Sequence, residues 1–302
     1  MKHFVSLAEQ YETIVCIVDL HALTSVESRE DLEEYSRSLA AAYLSIGLDP
    51  KKTIIFRQSD VPEVCELTWY LACQFPLGLL ERGHLVKDAR AKGVALNSGK
   101  MIYPILMAAD ILLYKGTLVP VGADQKQHLE MAREVAEKVN YRFGDIFPLP
   151  EPYISEETGV IPGLDGRKMS KSYDNFIGLF EEPKKARKKI MKIVTDSKTV
   201  EEVKDPDNCS VFQLFSLLGT KEEATALAAR YRSGGMGYGE AKQALFDVYE
   251  REVAPIRDVY NSLMQRPEHL VEVLSDGAAR ARVIAKETMD EMRTSLGIGK
   301  KL

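Results

Sequence analysis

The first half of the chain alternates short apolar runs with longer amphipathic segments. Residues 13–18 (TIVCIV), 52–57 (KTIIFR) and 118–121 are apolar runs of strand length. Residues 29–46 carry apolar side chains near a period of 3.6 and end at the turn residues of 47–50, which predicts a helix. Short apolar strands separated by helices pair in parallel, so the pattern predicts an α/β fold with a doubly wound, Rossmann-like parallel sheet.

After about residue 180 the strand signals stop and the apolar positions follow a helical period. We therefore predict two domains, a Rossmann-like domain over residues 1–180 and an all-helical domain over residues 181–302. The predicted helices of the second domain cover residues 184–194, 210–217, 221–232, 239–264 and 277–295.

The composition narrows the class of protein. Of 302 residues, 45% are hydrophobic and 28% charged, which suits a globular protein, and no apolar run reaches the roughly 18 residues of a membrane helix. A formal net charge of −5 argues against nonspecific DNA binding, although a local basic face stays possible. Membrane, secreted and zinc-ribbon classes are excluded, and reduced thiols in a cytoplasmic protein are expected. The four cysteines, which lack metal-site spacing, are Cys16, Cys65, Cys73 and Cys209.

Asp110 is the one charge in the apolar segment 101–114 (MIYPILMAADILLY). A buried carboxylate needs a partner, and no basic residue lies within one helical turn of it. Two interpretations stay open: a bond to a distant backbone N–H or arginine, or an acceptor that faces a ligand. Tyr103 and Met107 lie on roughly the same helical face.

Two further segments could bind an anion. The strand at 118–121 ends at Gly122, and Asp124 with Gln127 has the spacing of a capping box, so a helix N-terminus follows a strand there. The pentapeptide KMSKS at 168–172 places two lysines and two hydroxyls where they suit a polyphosphate. The alternatives are an ordinary strand–helix turn and a solvated basic turn.

KMSKS is the signature loop of class I aminoacyl-tRNA synthetases. MAADILLY at 107–114 and VPVGADQKQH at 119–128 resemble tryptophanyl-tRNA synthetases and differ from the tyrosyl enzymes. Further stretches occur in the same order as in that family, so the resemblance covers essentially the whole chain. They are IVDLHALT at 17–24, GLDGRKMSKSYDN at 163–175, VTDS at 194–197 and GYGEAK at 237–242.

The resemblance implies a tryptophan–tRNA ligase, which activates L-tryptophan with ATP and Mg²⁺ and transfers it to tRNA(Trp). It also implies a homodimer whose helical domain reads the anticodon, with no membrane or DNA partner. Lys242 and the basic helix that follows Pro183 become candidates for contacts with tRNA.

The resemblance assigns roles to particular residues. Asp110 would accept the indole N–H, while Tyr103 and Gln125 would meet the ammonium group of tryptophan. Lys168 and Lys171 would be the catalytic residues that hold the ATP phosphates. The other tryptophan-binding residues are His21, Met107, Val119 and Val121. The ATP-binding residues are Gly122, Ala123 and Asp124 at the ribose, Val160 at adenine, and Lys168, Met169, Ser170, Lys171 and Ser172 at the phosphates.

One signature of the family has no match in this sequence. A GxxPTG turn followed by an H-[IL]-G-H or T-I-G-N motif normally holds part of ATP, and residues 1–10 resemble the helix just after it. We therefore expect weak or no adenylation by the chain as printed. The explanations are a mis-assigned start or truncation, a non-catalytic paralogue that binds tryptophan or tRNA, or a strand supplied by another chain. A tyrosyl-tRNA synthetase is the alternative within the class.

Overall fold

A computed structural model describes residues 2–83, 86–87, 93, 95–122, 125–154 and 161–299. The chain forms two units. The first combines residues 1–155 with residues 263–302, and the second comprises residues 156–262.

The first unit contains the four strands and most of the helices described. The three segments predicted as strands and the helix predicted over residues 29–46 are confirmed, and their ends shift by at most two residues. Its elements are α1 (Lys2–Gln10), β1 (Ile14–Ile17), α2 (Asp19–Ala22), α3 (Arg29–Ser45), β2 (Ile54–Arg57), a 3-10 turn (Gln58–Asp60), α4 (Glu63–Ala72), α5 (Leu77–Glu81), α6 (Ser98–Leu112), β3 (Leu118–Pro120), α7 (Lys126–Phe143) and β4 (Glu151–Tyr153).

The strands described pair in parallel, as the α/β prediction requires. β1 pairs with β2, with Ile14 opposite Ile54, and β3 pairs with β4, with Leu118 opposite Glu151. Strand β4 (EPY) was not predicted, because three residues that include a proline carry no strand pattern. Parallel pairing brings the carboxyl ends of β1 and β2 to the same edge, where functional side chains of α/β folds collect.

The core of the first unit lies around β2. Phe56 is fully buried there, and helices α4, α6 and α7 supply aliphatic side chains around it. The final helix, α12 (Pro267–Leu296), also packs on β2, through Gly277 and the buried Ala281 and Ala285. This helix therefore belongs to the first unit.

The observed division differs from the predicted one at residue 180. The second unit begins near residue 156, and the chain returns to the first unit at Leu263. No local pattern marks this return, because an amphipathic helix has the same periodicity whichever core its apolar face covers.

The second unit has its own core, built by helices where helices were predicted. Tyr231 is fully buried in it, and helix α10 begins with a capping box between Thr220 and Glu223. Two segments that carried the family resemblance meet here, since the Tyr238 hydroxyl donates to Asp196 Oδ1 at 2.7 Å. Its elements are a 3-10 turn (Lys171–Tyr173), α8 (Pro183–Met191), α9 (Ser210–Leu218), α10 (Lys221–Ser233) and most of α11 (Tyr238–Met264).

The structure also describes the cysteines and the apolar character of the helices. The four cysteines are free thiols. Among the described residues, no helix is long and apolar enough to cross a membrane.

Candidate active site

Helix α6 carries three of the predicted tryptophan-binding residues. The helix begins after Asn97, whose side chain accepts a hydrogen bond from Lys100 N. Tyr103, Met107 and Asp110 follow at helical spacing, and each is partly buried. The side chain of Asp110 is only 11% exposed.

Asp110 is held by a neutral side chain that the sequence did not suggest. Gln58 Nε2 donates to both carboxylate oxygens of Asp110, at 2.8 Å each. His21 Nδ1 lies 3.5 Å from Asp110 Oδ2. The sequence interpretation in which only the substrate partners Asp110 is therefore incomplete: the carboxylate has a distant protein donor, and that donor is an uncharged amide.

Burial dominates the chemistry of this carboxyl group. Burial raises the pKa of Asp110 to about 8; the hydrogen bond from Gln58 opposes this effect, and the nearby charge of Asp19 adds to it. The group can therefore exchange a proton near neutral pH, which is typical of functional sites.

His21 joins this cluster from helix α2. Its ring is 5% exposed and makes an edge contact with Tyr103, with ring centroids 4.4 Å apart. Burial lowers the pKa of His21 below its usual value, so the imidazole is neutral at pH 7. The ring of the buried His128 lies 5.9 Å from Tyr103. The structure thus brings His21, Tyr103 and Asp110 together.

A second carboxylate fixes the edge formed by β1 and β2. Asp19 Oδ1 accepts from Ser59 N at 3.0 Å, and its Oδ2 accepts from Ser59 Oγ at 2.5 Å. Because Asp19 follows β1 and Ser59 follows β2, these bonds lock the two strand ends together and position the Gln58 side chain between them.

The remaining tryptophan-binding candidates lie at the end of β3. Val119 and Val121 are partly buried against the first core. Gln125 is the N-cap residue of α7, and Gly122 before it is exposed. The predicted capping box with Asp124 as N-cap is wrong, because the N-cap residue of α7 is Gln125 and its side chain makes no capping bond. Ala123, Asp124 and Val160 lie outside the described residues, so the ribose and adenine contacts stay predictions.

The KMSKS segment lies in the second unit. Lys168 and Lys171 are exposed, whereas Met169 is half-buried against the second core and Ser170 is partly buried. Lys168 forms an antiparallel bridge with Pro162, and Lys171 opens a 3-10 turn. The lysine ammonium groups thus extend from an ordered backbone.

Asn175 ties this loop together. Its Oδ1 accepts from Ser170 N at 2.8 Å, and its Nδ2 donates to Asp165 Oδ1 at 2.7 Å and to the Lys168 carbonyl at 3.1 Å. A Cβ atom on Gly163 would lie 2.3 Å from Asn175 Nδ2, so glycine is required there. The buried amide of Asn175 therefore hydrogen-bonds Asp165, Lys168 and Ser170, and so links three positions of this loop.

A pocket of about 240 Å³ opens beside the Asp110 cluster in the first unit. It shares His21 and Tyr103 with the predicted tryptophan site, and helices α2, α4 and α6 form its walls. Its other lining residues are Leu20, Thr24, Cys65, Thr68, Gly99, Ile102 and Leu106.

Sequence reasoning missed Gln58 and Asn175. Gln58 directly follows the β2 segment KTIIFR, so the rule that ligands bind beyond the carboxyl ends of parallel strands could have found it, had it been applied to this strand. Asn175 ends the stretch GLDGRKMSKSYDN, but nothing in its spacing indicated that its amide folds back on the loop.

Comparison with known proteins gives a consistent result. The family model of class I tRNA synthetases (W and Y) matches residues 1–253. A tryptophan–tRNA ligase of Rhodopirellula baltica is 45% identical over 298 residues, which covers 99% of this chain and 93% of the relative.

Two solved structures also resemble the chain. The tryptophanyl-tRNA synthetase of Campylobacter jejuni, complexed with ADP and tryptophan, has a TM-score of 0.92 at 44% identity, with 98% of this chain and 93% of that chain covered. The enzyme of Mycoplasma pneumoniae has a TM-score of 0.81 at 28% identity, with 98% and 91% covered. The folds agree over nearly the whole chain.

Proposed function

The chain belongs to the family of class I tRNA synthetases for tryptophan and tyrosine, and we propose that it is the tryptophan-specific kind, which activates tryptophan with ATP and charges tRNA(Trp). The observation that carries this proposal is Asp110, a buried carboxylate whose protein donor is neutral Gln58. No lysine or arginine within the described residues pairs with it. Such a group suits the indole N–H.

The reaction has two steps. The tryptophan carboxylate attacks the α-phosphorus of ATP, the bond to the β-phosphate oxygen breaks, and tryptophanyl-adenylate and pyrophosphate form. A ribose hydroxyl at the 3′ end of tRNA then attacks the acyl carbon, loses its proton and displaces AMP. No covalent enzyme intermediate is needed, so the protein contributes positioning and charge stabilisation.

The first unit would select the amino acid. Asp110 accepts the indole N–H, and Tyr103 and Gln125 meet the ammonium group in this proposal. Tyrosine has no donor at the position of the indole nitrogen, so it would leave unfilled the acceptor site of Asp110 that Gln58 does not occupy. Unpaired buried polar groups discriminate strongly between substrates.

The second unit would handle the phosphates. The exposed ammonium groups of Lys168 and Lys171 would stabilise the charge that grows on the leaving pyrophosphate. Ser170 and Ser172 would add hydroxyl donors.

Mg²⁺ accompanies ATP in the proposal. Among the residues that the structure describes, no group of three or more His, Cys, Asp or Glu side chains could hold a metal ion. The ion would therefore be bound mainly by the phosphates, where it neutralises charge, and no step is assigned to a protein-bound metal.

tRNA would contact the helical unit. Helix α8 buries Ala186 and Ile190 and exposes Lys184, Lys185 and Lys188, a basic face suited to a phosphate backbone. Lys242 is a weaker candidate, because its ammonium group donates to the Met191 carbonyl at the end of that helix. Charge reversal of the three exposed lysines should weaken tRNA binding and reduce its salt dependence.

The proposal includes a homodimer in the cytoplasm. Trp69 on α4, Leu77 on α5 and Ile102 on α6 are exposed in the first unit, with Trp69 67% exposed. A second copy that covered these side chains would remove apolar surface from water.

Binding calorimetry tests the function. The parent chain should bind tryptophan much more tightly than tyrosine, and Asp110→Ala should lose tryptophan binding. Glu130→Ala, which removes an exposed carboxylate from α7, should bind like the parent. Binding is the primary readout because the sequence contains no HIGH-type motif.

Other outcomes would select the alternatives. Tighter binding of tyrosine would favour a tyrosyl-tRNA synthetase. Strong tryptophan-dependent ATP–pyrophosphate exchange would exclude the non-catalytic paralogue.

A further inference from the structure

Gln58 occupies a position that links three parts of the Asp110 cluster. It opens the 3-10 turn directly after β2, and its side chain is 1% exposed. A glutamine that is buried so completely must satisfy both ends of its amide within the protein.

The orientation of this amide is fixed by groups that can only donate. Gln58 Oε1 accepts from the backbone nitrogens of Leu20 and His21, at 3.1 and 3.4 Å. A backbone N–H cannot accept a hydrogen bond, so Oε1 must face helix α2 and Nε2 must face Asp110. The fold of the β1–α2 turn thus dictates which end of Gln58 meets the carboxylate.

The neutral amide of Gln58 differs from a cation in how it partners Asp110. An arginine would form a bidentate ion pair that occupies both carboxylate oxygens and neutralises their charge. The Gln58 NH₂ group contacts both oxygens but leaves further lone pairs on them, since the two oxygens of a carboxyl group together offer more acceptor sites than one amide fills. Asp110 is therefore oriented and still able to accept another donor.

We propose that Gln58 is a positioning residue for amino-acid selection: it aims the Asp110 carboxylate at the indole N–H and so sets the preference for a side chain that carries this donor. The inference rests on the proposed function of the site. Gln58 itself contacts Asp110 and the α2 backbone rather than the reacting atoms.

The test compares two amino acids that differ only in the donor. β-(3-Benzothienyl)alanine has a sulfur atom where tryptophan has the indole N–H. The dissociation constants of both are measured by calorimetry for the parent, for Gln58→Met, which keeps the length of the side chain, and for Gln58→Asn, whose shorter amide cannot span both partners. Gln10→Met is the control, because it makes the same replacement at an exposed glutamine of helix α1.

The parent and Gln10→Met should prefer tryptophan strongly over the analogue. In both Gln58 variants this preference should fall about ten-fold or more, since one hydrogen bond between charged and neutral partners supports a factor of this size. Analogue binding should change much less than tryptophan binding. Urea unfolding shows whether each Gln58 variant is folded. If one of the two variants does not fold, the result for the other variant decides the test.

Two results would overturn the proposal. An unchanged preference in a folded Gln58 variant would mean that the amide serves packing alone, and an equal loss of both ligands would mean that it supports the pocket as a whole. Failure of the proposed function is a separate result, because the parent chain would then bind neither tryptophan nor the analogue.

Discussion

The backbone of Gly277 in helix α12 lies so close to β2 that a Cβ atom at this position would fall 1.9 Å from the carbonyl oxygen of Ile55. Glycine in the interior of a helix costs about 1 kcal/mol relative to alanine. The close approach explains the glycine, and it attaches the final helix to the first unit.

Gly277→Ala should therefore destabilise the protein by about 2–4 kcal/mol, because the helix or the strand must move. Urea unfolding measures the change. Gly78→Ala is the control, since a Cβ atom on Gly78 in helix α5 meets nothing within 4 Å and should be neutral or slightly stabilising. Equal stability of the two variants would contradict the packing argument.

Asp110 should make stability depend on pH. Its pKa is about 8 in the folded protein, against about 3.9 in an unfolded chain, so the folded state holds the extra proton between these values. The free energy of unfolding should fall as pH rises from about 4 to 8.

Asp110→Asn removes this titration and should be about 2–4 kcal/mol more stable than the parent at pH 9 but similar at pH 5. Urea unfolding at both pH values checks this, with Glu130→Gln as an exposed control. A parent with the same pH profile as Asp110→Asn would show that the carboxyl group is not perturbed by burial.

Loss of Asn175 should loosen the KMSKS loop. Asn175→Ala removes hydrogen bonds to Ser170, Asp165 and the Lys168 carbonyl. Trypsin should then cleave after Lys168 or Lys171 about ten-fold faster, because cleavage requires local opening of the backbone. Asn208→Ala, which removes an exposed asparagine bonded to Asp205, should leave the rate unchanged.

The two lysines should act on the transition state rather than on the binding of tryptophan. Whatever ATP–pyrophosphate exchange the parent chain shows, Lys168→Ala and Lys171→Ala should each lower its kcat about 100-fold, with little change in tryptophan affinity. Lys184→Ala removes an exposed charge from helix α8 and should retain the parent rate. An unchanged kcat in both loop variants would remove the lysines from the mechanism.

Trp69 should control self-association. Light scattering should give the parent a mass about twice the 33.8 kDa of the chain, and Trp69→Glu should shift it to the monomer. Val203→Glu serves as control because Val203 is 57% exposed but belongs to the second unit, whereas Trp69, Leu77 and Ile102 belong to the first. A parent that is already monomeric would refute the homodimer.

The sequence alone predicted the elements and the chemistry that local patterns encode. Apolar runs marked β1, β2 and β3, and helical periods marked the second unit, because period and turn residues are local properties of the chain. KMSKS identified the family because five consecutive residues form one loop. Asp110 stood out because a lone charge in an apolar segment needs an explanation.

Only the tertiary structure decided which partners these residues meet. Gln58 reaches Asp110 from 52 positions away, because β2 and helix α6 share one core in which Phe56 and Ala109 are both buried. Helix α12 returns to β2 because Gly277 permits contact, although in the sequence this glycine marked the start of a helix. Both depend on long-range contacts, and a local pattern of apolar and polar residues cannot specify which distant surface a side chain will meet.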